Sequence, residues 1–437
     1  MKKLKANLLL PALALFAFCQ LAAAPSNGQT GKCLVISDIH FNPFYTNNGS
    51  YNIDTQLRDQ LATTPVAQWE GILGAYFKQA GAKPLGGLKR GYDANYPLLV
   101  SAIGAMAQQQ SRPRFIVIAG DFLWHQYYGN TNDTVVFRSP DQQRRLKDST
   151  VKFIGYLFKT QFPATAFIPA LGNNDTDGED YAKQAAGFLH VFADAWGLDK
   201  LNVDTAKYDH TGYFIGETGN ASDPEFVVLN SSLISNKKRD AYQKDAQQMF
   251  DWLDNVLSQP ASKNVWVISH IPPGGDLYPD YNARLLNKIT TSPNVKYYLA
   301  GHTHFNDFRV IYDQKAAKVY PLFIRVVPSI GPNHDNSPSF EVAGIDADYA
   351  LTGETSYVLN PEALAKDPAR VQWMPGYSIG TVGLSGITAQ AMYNFMQHKN
   401  PNNCQPYYRF HSLDQQNRDS YLKRVSNFNN NILMIGR

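Results

Sequence analysis

Brief apolar runs recur along the chain, each closed by a loop with polar residues or glycine. Residues 34–36, 115–118, 166–168, 226–229, 265–268, 296–299 and 323–327 are such runs, rich in Val, Ile and Phe. Runs this short, bounded by turn residues, predict buried strands. Between them, residues 96–110, 140–159, 181–195, 238–257 and 283–290 predict helices. Strands alternating with helices imply an α/β core. Residues 81–91, 127–134 and 331–339 predict surface loops. From about residue 341 the pattern changes, with a strand-like stretch at 355–359 and helical patterns near 388–397 and 412–425. The expected organisation is a catalytic core over residues 31–340 and a mainly helical C-terminal extension, 341–437, packed on it.

The N-terminus predicts export. Lys2, Lys3 and Lys5 precede an almost wholly apolar run from Leu8 to Leu21, followed by Ala22, Ala23 and Ala24. This order matches a signal peptide over residues 1–24, with the cleavage junction between 22 and 27. The product would be periplasmic or secreted. Loss of three lysines brings the formal charge of +3 close to zero. A neutral chain gives no reason to expect a nucleic-acid partner or a stable membrane partner. Of three cysteines, Cys19 leaves with the signal. Cys33 and Cys404 would then either pair in an oxidising compartment or stay as separate buried thiols.

With 437 residues, 44% hydrophobic, the chain can bury a large core. Its chemistry sits at the strand ends. Asp38 and His40 follow the first run, and Gly120-Asp121 the second. Gly172-Asn173-Asn174-Asp175 follows the third, His270 the fifth, and Gly301-His302-Thr303-His304 the sixth. Carboxyl ends of α/β strands are where such sheets build their sites. Each motif alone is an ordinary turn, cap or core histidine. Five in order, each directly after a strand, are not. Imidazole and carboxylate ligands without a thiolate suit borderline divalent ions such as Zn, Fe or Mn. Two ions about 3.5–4 Å apart need a bridging carboxylate and a ligand set on each side.

This pattern resembles the calcineurin-like metallophosphoesterase superfamily, whose motifs are DxH, GD, GNH[DE], H and GHxH. The resemblance runs from Asp38 to His304 and continues into Pro328-Ser329-Ile330. It implies a metallophosphoesterase fold, a four-layer β-sandwich flanked by helices. It also implies two divalent ions, zinc first and Fe or Mn as alternatives. Asp38, His40, Asp121 and His304 would hold the first ion; Asp121, Asn173, His270 and His302 the second. The activity implied is phosphoester or phosphoanhydride hydrolysis by attack of a metal-bridging hydroxide.

His125, four residues after Asp121, resembles the acid sphingomyelinase-like branch, where this histidine helps protonate the leaving group. Residues 327–340 and Gly91-Tyr92-Asp93 are similar to that branch too. Within that loop His334 and Asn336 are candidate substrate contacts. Trp124, Tyr127 and Tyr128 are candidate pocket walls, Trp124 equally a core residue. One position departs from the superfamily: Asn174 stands where a histidine is usual, as in the endopolyphosphatases related to this branch. An amide donates a hydrogen bond but gives up no proton. An alkoxide leaving group needs that proton, whereas a phosphate or nucleotide leaves as a stable anion. The sequence therefore predicts a phosphorylated small-molecule or polyphosphate substrate. The alternative is a sphingomyelinase-like lipid phosphodiesterase, and beyond that a non-catalytic metal- or phosphate-binding protein.

Overall fold

The computed structural model describes residues 29–45, 54–81, 93–125, 127, 137–221, 223–259, 264–333, 336–346, 351–367, 370–378, 388–397 and 432–435. The expected signal peptide, Tyr128, His334, Cys404 and the 412–425 helix lie outside them. Cys33 is fully buried. Among the described residues no helix is long and apolar enough to cross a membrane.

All seven apolar runs form strands. The first sheet contains β1 (Gln29–Ile36), β2 (Phe115–Ile118) and β3 (Ala166–Pro169), which are parallel. The second has β4 (Phe214–Gly216), β5 (Glu225–Val228), β6 (Val265–Ile268), β7 (Val295–Ala300), β8 (Asp307–Asp313) and β9 (Lys318–Val326). Here β5, β6, β7 and β9 are parallel neighbours. The alternation of side chains across each strand then splits the burial. Trp266 and Ile268 of β6 face the first sheet's cluster, while Val265 and Val267 face away. Phe115 meets Phe226 and Trp266 edge-on, at 4.9 and 5.5 Å, joining the two sheets.

Helices cover both outer faces. The first sheet shares one apolar cluster with α1 (Thr55–Thr63), α2 (Trp69–Gln79), α3 (Tyr96–Gln109), α4 (Pro140–Gln161) and α5 (Ala186–Trp196). Asn95 caps α3 by accepting from Leu98 N, and Ser139 caps α4 by accepting from Gln142 N. The short α6 (Thr205–Thr211) follows, and then α7 (Gln243–Ser258) and α8 (Pro279–Thr291) close the far side. Ala246, Met249, Phe250, Leu253 and Leu257 form one helical stripe of α7 against the second sheet's outer face. Helix, sheet, sheet, helix make the expected four layers.

The segment after residue 340 corrects an expectation. Among the described residues it is mainly strand, with β10 (Ser339–Asp346), β11 (Leu351–Leu359), β12 (Trp373–Ser378) and β13 (Ile432–Ile435). Only α9 (Pro361–Lys366) and α10 (Ala389–Gln397) are helical. The reason is the open flank of β1, whose backbone groups need partners. β10 pairs antiparallel with β1, then β11 and β12 follow as a meander, and β13 adds to β8.

Arg325 of β9 crosses the sandwich to this segment. Its Nε donates to Glu354 at 3.0 and 3.2 Å, and its terminal nitrogen pairs with Glu341 and Asn306. All three charged side chains are at most 4% exposed. Burial pushes the Glu341 carboxyl well up, although Arg325 opposes this. Removing one partner of a buried ion pair costs about 3–5 kcal/mol. Arg325→Ala is accordingly expected to lose that much in urea unfolding of the full chain, and a loss below about 1 kcal/mol would contradict the bridging role.

Candidate metal centre

Five loops meet where parallel strands of both sheets end. Those after β1, β2 and β3 belong to the first sheet, those after β6 and β7 to the second. Asp38, His40, Asp121, His302 and His304 all take left-handed backbone, with φ between 45° and 72°. Such turns cost of order 1–3 kcal/mol each and concentrate at functional sites. Here they reverse the chain at once, so that Asp38 and His40 share one centre. Gly172 permits the closest approach, since a Cβ there would lie 2.0 Å from Asp121 Oδ1.

The side chains converge as the motifs imply. Asp121 Oδ2 lies 3.1 Å from His270 Nε2 and 3.4 Å from His40 Nε2. Asp38 Oδ1 lies 3.3 Å from His304 Nε2, which is 3.1 Å from His40 Nε2. Asn173 Oδ1 is 3.0 Å from both His270 Nε2 and His302 Nδ1. Backbone carbonyls fix the rings: His40 Nδ1 donates to Leu123 O at 3.0 Å, and His270 Nδ1 to Ala119 O at 2.7 Å. Where a cation takes the place of the Nε2 proton, each ring offers that nitrogen's lone pair to the centre. Acceptor atoms this close repel one another unless a proton or a cation lies among them. Burial disfavours the charged ring of His270, but Asp121 outweighs it and pushes the pKa up to about 10. The same balance takes His40 to about 9. The charges of His304 and His270 hold Asp38 below the usual carboxylate range despite burial. His270 and His40 do the same for Asp121. The donor set fits two divalent ions that share Asp121.

Asn174 is buried and donates to Asp121 twice, from N to Oδ1 and from Nδ2 to Oδ2, both at 2.8 Å. Its amide thus braces the shared carboxylate. His125 stacks on His40, with ring centroids 3.8 Å apart. Its Nδ1 is 2.7 Å from the buried Asp93 and 2.9 Å from Asn333 Nδ2. Asn336 is tied into its own loop, donating to Asn333 O at 3.2 Å. Trp124 and Tyr127 are wholly buried, and Tyr127 shares a hydrogen bond with Thr150. They pack as core.

Several contributors went unassigned in the sequence. Asp175 accepts from Gly172, Asp121, Phe122 and Leu123 backbone N–H groups at 2.8–3.1 Å, clamping the loop that carries Asp121. The GNND motif contains it and could have flagged it. Asp180 accepts from Asn173 Nδ2 at 2.7 Å, which turns Oδ1 of that amide inward. Asp276 lies 3.4 Å from His302 Nε2. Neither stands in any motif.

Two packed sheets thus carry imidazole, carboxylate and amide donors together at their strand ends. The chain belongs to the calcineurin-like phosphoesterases, whose family model matches residues 31–306. It is 26% identical to acid sphingomyelinase-like phosphodiesterase 3b of Mus musculus, over 70% of this chain and 64% of that protein. It is 24% identical to the cyclic GMP-AMP phosphodiesterase SMPDL3A of Homo sapiens, over 61% of each. The chain thus spans less than two thirds of these relatives' length. A dimetal phosphatase from Danio rerio superposes with a TM-score of 0.42 at 12% identity, over 75% of this chain and 95% of that one.

Proposed function

We propose that this chain is an exported two-ion hydrolase acting on phosphoanhydride or phosphodiester bonds of nucleotide- or polyphosphate-type substrates. One observation carries the reading: a single oxygen, Asp121 Oδ2, lies against histidines of both ligand sets. In this assignment Asp38, His40, Asp121 and His304 hold one ion, zinc being the first choice for so nitrogen-rich a set. Asp121, Asn173, His270 and His302 hold the other. When bound, the ions would supply Lewis acidity and lower the pKa of water towards neutrality. Of the two imidazoles that flank the leaving group in this branch, the chain keeps His125 and replaces the other with Asn174. A substrate whose leaving group is already a stable anion suits that loss. Export rests on the basic and apolar segment at residues 1–24.

A second reading, a sphingomyelinase-like lipid phosphodiesterase, is favoured by the names of several relatives. The human cyclic GMP-AMP phosphodiesterase favours the nucleotide reading instead. Turnover of ATP, short polyphosphate, a dinucleotide diester and sphingomyelin, measured side by side, separates the two. The expected order puts at least one nucleotide or polyphosphate substrate ahead of sphingomyelin in kcat/KM. Faster sphingomyelin cleavage would overturn it. Asn174→His is expected to raise alkyl-ester turnover relative to anhydride turnover by roughly tenfold, a fraction of the ~10²–10⁴ that a general acid supplies.

A further inference from the structure

Beyond the candidate ligands, the His302 end of the centre opens onto a carboxylate and a lysine. Asp276 Oδ2 lies 3.4 Å from His302 Nε2 and accepts from Tyr181 Oη at 3.3 Å. Lys237 Nζ stands 3.9 Å from the same oxygen, with its side chain 51% exposed. A single carboxylate oxygen thus separates a solvent-facing ammonium from the His302 ring. His125 marks the other end, stacked on His40.

The backbone, rather than the side-chain pair, sets this position. An antiparallel bridge between Ser235 and Leu277 joins the lysine's loop to the aspartate's. Asn236 N donates to Asp276 O at 2.9 Å, Tyr278 N to Ile234 O at 2.9 Å, and Ser235 Oγ to Asp276 O at 3.1 Å. The Asp276 loop is itself braced. Gly275 N donates to Pro272 O at 2.8 Å, and the buried Arg309 guanidinium donates to Pro273 O. Groups carried on segments locked in this way hold their geometry best.

Three lysines lie on this rim, and they are engaged differently. Lys183 pairs closely with Asp245, and Lys238 with Glu179. Those two charges tie residues 179–183 to the start of α7 and the loop before it. The pair that Lys237 makes is the loosest of the three, and its oxygen is already shared with Tyr181 and His302. An exposed side chain gains little from such a pair. A phosphate oxygen offers the ammonium a better partner, through a charge-assisted hydrogen bond roughly twice as strong as a neutral one.

We propose that Lys237 is a specificity-determining residue that receives the phosphate next to the one held at the centre, and so favours substrates with two or more linked phosphates. This rests on the phosphoanhydride reading above and adds where the rest of the phosphate chain lies. The leaving group points towards His125 and the retained part of the substrate towards Lys237. A diester of a single phosphate offers Lys237 no second anion, so the lysine should not matter for it.

The test uses the full metal-loaded chain and reads binding as well as turnover. Calorimetry gives Kd for imidodiphosphate, two linked phosphates that resist hydrolysis, and for inorganic phosphate. KM is measured for tripolyphosphate and kcat/KM for bis(p-nitrophenyl) phosphate, with ions per chain by emission spectroscopy. Lys237→Gln is expected to raise the imidodiphosphate Kd about fivefold or more and to keep that of inorganic phosphate within about twofold. The tripolyphosphate KM should rise in step, while the aryl diester is unaffected. Lys237→Arg should bring imidodiphosphate binding back to within about twofold of wild type, since its guanidinium also binds phosphate. Lys183→Gln, which removes a neighbouring charge already paired, should leave both ligands unchanged. If Lys237→Gln weakens both ligands equally, or loses an ion, the lysine serves the Asp276 loop and the proposal is overturned. If wild type prefers imidodiphosphate and Lys237→Gln keeps that preference, the second phosphate lies elsewhere and this proposal alone falls. If wild type shows no preference and cleaves sphingomyelin faster than tripolyphosphate, the anhydride reading has failed and the proposal falls with it.

Discussion

Asp121→Ala is expected to abolish turnover and to strip both ions from a chain that remains folded. In the proposed assignment Asp121 serves both ions, its Oδ2 lying 3.1 Å from His270 Nε2 and 3.4 Å from His40 Nε2, so its removal would take one ligand from each set at once. Even partners that only orient metal ligands cost about 10–100-fold in affinity or activity, and a direct bridging ligand should exceed that range. The fold should survive because the loop has an independent anchor. Asp175 accepts from the backbone N–H groups of residues 121, 122 and 123, and those bonds do not involve the Asp121 side chain. Emission spectroscopy should give two ions per wild-type chain and fewer than one in the variant, with circular dichroism unchanged. Two ions with normal kcat/KM in the variant would remove the basis of the two-ion assignment.

How much of this could be read beforehand follows from the range of each signal. Strand runs such as residues 115–118 and 265–268 were legible because burial on both faces leaves a compact apolar block between loops. The residues that gather at the candidate site were legible because each stands at a fixed offset from such a block. Of the described strands after residue 340 only the 355–359 part of β11 was legible; β10 was not, because it owes its place to the open flank of β1, some 300 positions away, rather than to its own composition. Orienting residues were hidden for a related reason. Asp180 and Asp276 act across loops on Asn173 and His302, and an aspartate in a loop carries no mark of what it will touch. Asn333 illustrates the limit well. The loop that holds it stood out in the sequence, but the side chain that reaches His125 lies one position before His334 and three before Asn336, the candidates chosen there.

His125→Ala is the second large effect, and its size should depend on the leaving group. His125 contributes no atom to the Asp38–Asp121–His270 group, so its loss leaves those ligands in place. Its ring stacks at 3.8 Å on His40, whose own orientation is held separately by Leu123 O. What disappears is the imidazole at the mouth of the centre, 36% exposed and therefore within reach of a substrate. General acid catalysis supplies about 10²–10⁴-fold, and only where the leaving atom needs a proton. An alkyl diester should therefore slow by roughly that factor, a p-nitrophenyl diester by under tenfold. ATP and polyphosphate, whose departing groups are stable anions, should resemble the aryl ester. A plot of log kcat against leaving-group pKa should steepen in the variant, since the wild type cancels developing charge and the variant cannot. Parallel plots for the two proteins would show that His125 gives no proton to the leaving group, and would also remove the reason for reading Asn174 as a mark of anhydride substrates.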